Sequence, residues 1–247
     1  MKSIVPTGEK HLETRKELIN RLLNDYGTDT QVLGIIQVGS IVKGYADKHS
    51  DVDLEIVVTE DKYTELERNS QKIVHTEKYD LRFTTAIKLR RIRDSDADED
   101  HWDYQKSIVL LDKTRNLQKI LNQIITYDEG SRIDRLKRHY KEYWGNTLDA
   151  FSCLEHENQW GSKIYAALSI QELIRVLFNF NHRWSPRLQW AFREIQTLQK
   201  KPKKLETQLQ NILNKPETSK LSRLWNQTAT LLREEKCTWI DHPEELL

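Results

Sequence analysis

Cysteine is scarce in this chain of 247 residues, which contains only Cys153 and Cys237. The two lie far apart and lack the short spacing typical of zinc ligands. The sequence therefore argues against a disulfide framework and against a zinc site. We expect both thiols to pack against helices as small apolar groups.

The chain also lacks a long apolar segment and an excess of charge of either sign. No run approaches the roughly 18 apolar residues of a membrane-spanning helix, and no signal-type segment is visible. We therefore expect a soluble, cytoplasmic protein with no membrane partner. Lysine and arginine total 39 against 38 aspartate and glutamate residues, a net charge of +1. This balance disfavours a general polyanion binder, although it leaves room for a local basic cleft.

The predicted secondary structure changes near residue 113, from mixed strands and helices to helices alone. Before that point, a helical segment at 9–26 is followed by β-type runs at 32–38, 52–58, 73–76, 80–85 and 107–111. Beyond it, helical periodicity predicts helices at 115–127, 131–158, 162–180, 186–199, 203–213 and 217–236. The acidic stretch 94–103 reads as a mobile loop. We predict an α+β fold with a small mixed-sheet domain and flanking helices at 1–113. An all-α helical bundle at 114–247 is expected to form the other wall of a cleft.

The most informative stretch begins where the first predicted strand ends, at Gly39 and Ser40. A glycine there lets the backbone approach a bulky ligand closely. Free backbone N–H groups at a turn or helix start favour phosphate oxygens, and a serine hydroxyl adds a further donor. This segment is therefore a candidate phosphate site.

Acidic residues begin two of the other predicted strands. Asp51 and Asp53 are two positions apart, so their side chains share one face of the strand while Val52 points into the core. Neighbouring carboxylates repel each other unless a cation lies between them, and Mg²⁺ prefers oxygen ligands that it shares with substrate phosphates. Asp80 is a third carboxylate in the same strand context, able to complete a metal site or to act as a general base.

Taken together, Gly39-Ser40, Gly44 and Asp51-Val52-Asp53 resemble the signature of the DNA polymerase β-type nucleotidyltransferases. Asp80 matches the third carboxylate of that family. The likeness is greatest to small bacterial enzymes that adenylylate antibiotics, such as the aminoglycoside and lincosamide nucleotidyltransferases, and to their uncharacterised relatives.

The resemblance implies transfer of a nucleoside monophosphate, AMP from ATP or another NTP, to a hydroxyl group with release of pyrophosphate. It implies two Mg²⁺ ions held by the carboxylates of Asp51, Asp53 and Asp80, and phosphates held by Gly39 and Ser40. Lys163, near the start of a predicted helix, is a candidate triphosphate contact; the alternative is an exposed helix lysine.

No acceptor-site signature is evident, so several functions stay open. A hydroxyl-bearing small molecule is the leading acceptor, and an RNA or protein acceptor is the alternative. A module that binds nucleotide without catalysis is a third hypothesis, which the presence of all three carboxylates disfavours. A homodimer is compatible with the sequence.

Overall fold

A computed structural model describes the backbone of residues 7–235 and 237–241, and their side chains from residue 15 onward except that of residue 238. The described residues form two compact units, which divide between Thr126 and Tyr127. Among the described helices, none combines the length and the apolar character needed to span a membrane.

The first unit is built around a mixed five-stranded sheet with the order β3-β4-β2-β1-β5. Its strands are β1 (Val32–Val38), β2 (Val52–Val58), β3 (Ile73–His75), β4 (Tyr79–Thr85) and β5 (Ile108–Asp112). Strands β2 and β4 are parallel, while the pairs β1–β2, β1–β5 and β3–β4 are antiparallel. This arrangement, together with the helices of the second unit, confirms the predicted α+β class.

Six helices flank the sheet: α1 (Thr7–Gly27), α2 (Gly39–Lys43), α3 (Glu60–Arg68), α4 (Ala86–Ile92), α5 (Asp98–Tyr104) and α6 (Leu117–Ile125). On one face of the sheet, Leu18 and Leu22 of α1 pack with Leu54 and Ile56 of β2. The other face is covered by apolar side chains of α4, α5 and α6. Alternation along β1 and β2 supplies both cores, because successive side chains of a strand point to opposite faces.

Two features of this unit differ from the sequence prediction. The acidic stretch 94–103 is not a mobile loop, because α5 buries His101, Trp102 and Tyr104 while acidic residues in its first turn complement the helix dipole. The division between the units falls after Thr126 rather than at residue 113. The reason is that α6 buries four apolar side chains in the first unit, at positions Leu117, Ile120, Leu121 and Ile124.

The described part of the second unit is helical. It contains α7 (Arg132–Glu155), α8 (Gln159–Phe180), α9 (Leu188–Ile195), α10 (Leu205–Asn214), α11 (Thr218–Glu234) and a 3₁₀ turn (Thr238–Asp241). Its core is a single apolar cluster to which all five α-helices contribute. The pair α7 and α8 is held by apolar packing and by a buried hydrogen bond of 2.8 Å between the hydroxyls of Thr147 and Ser169.

Candidate active site

The paired carboxylates lie where the parallel strands β2 and β4 begin. In the register of this pair, Asp53 stands directly opposite Asp80. Neighbouring strands are about 4.8 Å apart, so the two side chains are adjacent on one face. Asp51 immediately precedes β2, two positions before Asp53, and Val52 between them is fully buried in the core on the opposite face. The structure thus brings the three predicted carboxylates to one end of the sheet.

The backbone of Gly39 lies directly against the Asp53 carboxylate. Its φ of 83° lies in the left-handed region, and a Cβ at this position would come within 1.8 Å of Asp53 Oδ2. No other residue type fits, because both the backbone conformation and the space exclude a side chain. The candidate phosphate segment and the candidate metal carboxylate are therefore in direct contact.

The loop that leads to the carboxylates is anchored at several points. Gly44 ends α2 in the left-handed conformation with a φ of 76°. The guanidinium of Arg15 donates to the carbonyl of Asp47 and, at 2.6 Å, to that of Ser50. Asp47 accepts from the backbone N–H of His49 at 2.8 Å, and this bond is the main cause that lowers its pKa. These contacts set the position from which Asp51 enters β2.

The short helix α2 is anchored by the buried Lys43. Its ammonium donates to the carbonyls of Trp102, Asp103 and Gln105 at 2.8–2.9 Å, and it lies 4.3 Å from the centre of the Trp102 ring. A cation at the carboxyl end of α5 is favourable because the exposed carbonyls and the helix dipole carry negative charge there. Helix α5 thus holds the segment that begins at Gly39.

The site carries a surplus of negative charge. Partial burial, followed by the charge of Asp51, raises the pKa of Asp53 to about 6, and the charges of Asp80 and Asp103 act in the same direction. The guanidinium of Arg82 opposes this rise. A carboxyl group perturbed in this way is stabilised as a carboxylate by an added cation. The residues present therefore fit a divalent metal ion, because Asp51, Asp53 and Asp80 offer oxygen atoms of the kind that such an ion prefers.

Three residues that the sequence analysis did not assign to the site lie deeper on the same face, namely Glu55, Arg82 and Tyr104. Glu55 follows Asp53 by two positions and is buried; it accepts a hydrogen bond of 2.7 Å from the Tyr104 hydroxyl, and its other oxygen lies 3.7 Å from the Arg82 guanidinium. Burial raises the pKa of Glu55, while Arg82 and Tyr104 oppose the rise. Alternation along β2 places Glu55 here, but the partners come from β4 and α5.

A fourth missed residue, His75, lies at the rim of the site. In the antiparallel register of β3 and β4 it stands opposite Asp80, and its Nδ1 is hydrogen bonded to Asp80 Oδ1. Ligand atoms of Asp51, His75 and Asp80 all lie within 4.8 Å of one another. The sequence contained a signal for this pairing, because a tight turn at 76–79 between two strands places residues 75 and 80 opposite each other.

The two remaining predicted nucleotide ligands, Ser40 and Lys163, belong to different units of the fold. Ser40 is half-buried in the first turn of α2, and its carbonyl accepts from the backbone N–H of Tyr45 at 2.9 Å. Lys163 belongs to the second unit, where it is exposed on α8 with its ammonium 5.8 Å from the centre of the Trp160 ring. The roles assigned to Ser40 and Lys163 as nucleotide ligands stay predictions.

Comparison with known proteins agrees with this geometry. Residues 15–112 match the family model described as a nucleotidyltransferase domain. A solved nucleotidyltransferase-like protein from Exiguobacterium sibiricum has a similar fold, with a TM-score of 0.51 and 11% sequence identity. The alignment covers 89% of this chain and 75% of that one. No curated protein is significantly similar to the sequence.

Residues 15–112 are thus similar to a nucleotidyltransferase domain, in agreement with the superfamily that the sequence motif indicated. The finer likeness to antibiotic-modifying enzymes stays a prediction. The matched segment contains Gly39, Asp51, Asp53 and Asp80, whereas Lys163 lies outside it.

Proposed function

We propose that this protein is a Mg²⁺-dependent transferase that moves a nucleoside monophosphate, AMP from ATP, onto a hydroxyl group of a small molecule. The observation that carries the proposal is the contact between Gly39 and the Asp53 carboxylate, with Asp80 directly opposite on the parallel strand. It joins a segment suited to phosphate with carboxylates suited to a metal ion. A nucleoside triphosphate chelated to a metal ion presents the complementary pair of groups.

In the proposed reaction, the acceptor oxygen forms a bond to the α-phosphorus, and the bond from that phosphorus to the bridging oxygen of pyrophosphate breaks. The backbone at Gly39 and the hydroxyl of Ser40 hold the β- and γ-phosphates. Asp80 orients the acceptor hydroxyl and receives its proton. Asp51, Asp53 and Asp80 would hold Mg²⁺, which, when bound, would supply charge neutralisation for the phosphates and the leaving group.

The choice of Mg²⁺ follows from the ligands. Asp51, Asp53 and Asp80 offer oxygen atoms only, and Mg²⁺ typically binds one or two carboxylates together with substrate phosphates. The raised pKa of Asp53 means that the metal-free site is electrostatically unfavourable at neutral pH. We infer that the metal ion strengthens nucleotide binding, because its positive charge offsets the negative charge of both the carboxylates and the phosphates.

The direct test is to incubate the full chain with labelled ATP, Mg²⁺ and a panel of hydroxyl-bearing molecules, and to detect labelled products by mass spectrometry. We expect a product larger than its acceptor by one nucleoside monophosphate, with one pyrophosphate released for each. Asp53→Asn should abolish the product without unfolding the chain. Turnover retained in this variant would refute the assignment of the site.

The same assay separates the acceptor classes. RNA and protein substrates are included beside the small molecules, and labelling of either alone would contradict a small-molecule acceptor. Thermal denaturation provides a check that needs no acceptor: Mg²⁺ with ATP should stabilise the chain more than ATP alone. The absence of any response to nucleotide and metal would favour a scaffold without catalytic function.

A further inference from the structure

His75 adds a nitrogen atom to a site that the family motif describes with oxygen ligands alone. It comes from the edge strand β3, which contains none of the predicted carboxylates. Its side chain is 74% exposed, so the imidazole is free to adjust its position, while the Asp80 side chain beside it is 29% exposed. Its ring nitrogen and oxygens of Asp51 and Asp80 form the compact group within 4.8 Å.

A purely structural role does not account for this imidazole. The β3–β4 turn is closed without it: the Thr76 N–H donates to the Tyr79 carbonyl at 3.0 Å, and the Thr76 hydroxyl accepts from the N–H of Tyr79 at 2.9 Å. Backbone pairing then sets the register of the two strands. An exposed ion pair typically contributes less than about 1 kcal/mol to stability. The fold therefore gains little from a histidine at position 75.

The chemistry of the three side chains points to a metal ion. Two carboxylates without other ligands suit hard cations such as Mg²⁺. An imidazole nitrogen favours first-row transition metals, whose affinity for nitrogen exceeds that of Mg²⁺. Adding one imidazole to two carboxylates should therefore shift the preference of the site toward ions such as Mn²⁺.

We propose that His75 is a metal ligand of the nucleotidyltransferase site, together with Asp51 and Asp80, and that it raises the preference of this site for Mn²⁺ over Mg²⁺. The ion takes the place of the hydrogen between His75 Nδ1 and Asp80 Oδ1. The proposal rests on the proposed function in one respect only, since it places the ion at the same carboxylates. It concerns binding, so it can be measured without nucleotide and without an acceptor.

The experiment uses the full chain free of nucleotide. Mn²⁺ affinity is measured by electron paramagnetic resonance of the free ion, and Mg²⁺ affinity by competition against bound Mn²⁺. The variant is His75→Asn, whose amide still donates to Asp80 but offers no imidazole. The control is His49→Asn, which removes an exposed imidazole two residues before Asp51.

We expect His75→Asn to weaken Mn²⁺ binding by at least about tenfold, the lower bound for losing a supporting group around a metal. Mg²⁺ binding should change much less, so the ratio of the two affinities falls. Electron spin-echo modulation of the bound Mn²⁺ should show coupling to a nitrogen nucleus in the parent chain and in His49→Asn. That coupling should be absent in His75→Asn.

Three results would overturn the proposal. Equal loss of Mn²⁺ and Mg²⁺ affinity in His75→Asn would mean that the imidazole only orients Asp80. An equal effect of His49→Asn would mean that exposed histidines bind the ion adventitiously. Nitrogen coupling that survives in His75→Asn would assign the ligand to another residue. Failure of the proposed function gives a different result. Nucleotide transfer would then be absent even though nitrogen coupling depends on His75. Conversely, transfer would be present without any dependence of the coupling on His75 if only the present proposal were wrong.

Discussion

Replacing Asp53 by asparagine tests the electrostatics of the site independently of any reaction. The folded chain holds Asp53 with a pKa of about 6, because of partial burial and the neighbouring Asp51 charge. An aspartate in an unfolded chain has a pKa of about 3.9. Ionisation of Asp53 therefore opposes folding. Below about pH 4, Asp53 is protonated in both states and costs no stability. As the pH rises through about 6, Asp53 ionises in the folded chain as well, and the full loss of stability is reached.

The size of the effect follows from the two pKa values. A difference of about two pKa units corresponds to about 3 kcal/mol, at about 1.4 kcal/mol for each unit. Asp53 is only half-buried, and solvent screening reduces this figure to about 1–2 kcal/mol. Asparagine has nearly the shape of a protonated aspartate and does not ionise. The metal-free variant Asp53→Asn should therefore be more stable than the parent by about 1–2 kcal/mol at pH 7.5, and equally stable near pH 4.

The assay is chemical denaturation of both chains in a metal chelator at pH 4, 5.5 and 7.5. The exposed Asp149 on α7 provides a matched control, since Asp149→Asn is the same substitution at a surface position outside the site. Excess Mg²⁺ should then stabilise the parent chain and have a much weaker effect on Asp53→Asn. Lower stability of Asp53→Asn at pH 7.5, or a difference that does not vary with pH, would refute the reasoning.

Three further substitutions test the contacts that hold the site. Gly39→Ala should lower the free energy of unfolding by about 2 kcal/mol or more, because the added methyl group meets the Asp53 carboxylate and the backbone has a positive φ. The control is Gly145→Ala on α7, where the methyl group meets no neighbour and should stabilise the chain by up to about 1 kcal/mol. Lys43→Met should cost about 3 kcal/mol in urea denaturation, since it removes the ammonium that donates to three carbonyls. Tyr104→Phe should cost about 1–3 kcal/mol, because buried Glu55 loses its hydroxyl donor. Unchanged denaturation midpoints would contradict each of these assignments.

The local sequence was sufficient to predict the two strands that build the site. Strands β1 and β2 coincide with the apolar runs predicted at 32–38 and 52–58. Their composition is rich in valine, isoleucine and leucine, and a glycine or a polar segment bounds each. The alternation of side chains along a strand then places Asp51 and Asp53 on one face without any knowledge of neighbouring strands. For these elements the information is contained within a few consecutive residues.

Helix α5 shows where local reading failed. Its segment is dominated by aspartate and glutamate, a composition typical of a solvated loop. The packing of Tyr104 against the sheet, the burial of Trp102 and the Lys43 ammonium at the carboxyl end of the helix make it an ordered element. Apolar burial outweighs composition here, and the residues that provide the burial come from distant parts of the chain.

The sequence by itself indicated a nucleotidyltransferase-like motif and three candidate carboxylates, because Gly39, Asp51 and Asp53 lie in one short segment and Asp80 begins a later predicted strand. Tertiary structure alone decided that Asp53 contacts Gly39 and that Glu55 is hydrogen bonded to Tyr104. These contacts depend on strand register and on helices packed across the sheet. No sequence pattern around these residues indicates such contacts, because the partners are far apart along the chain.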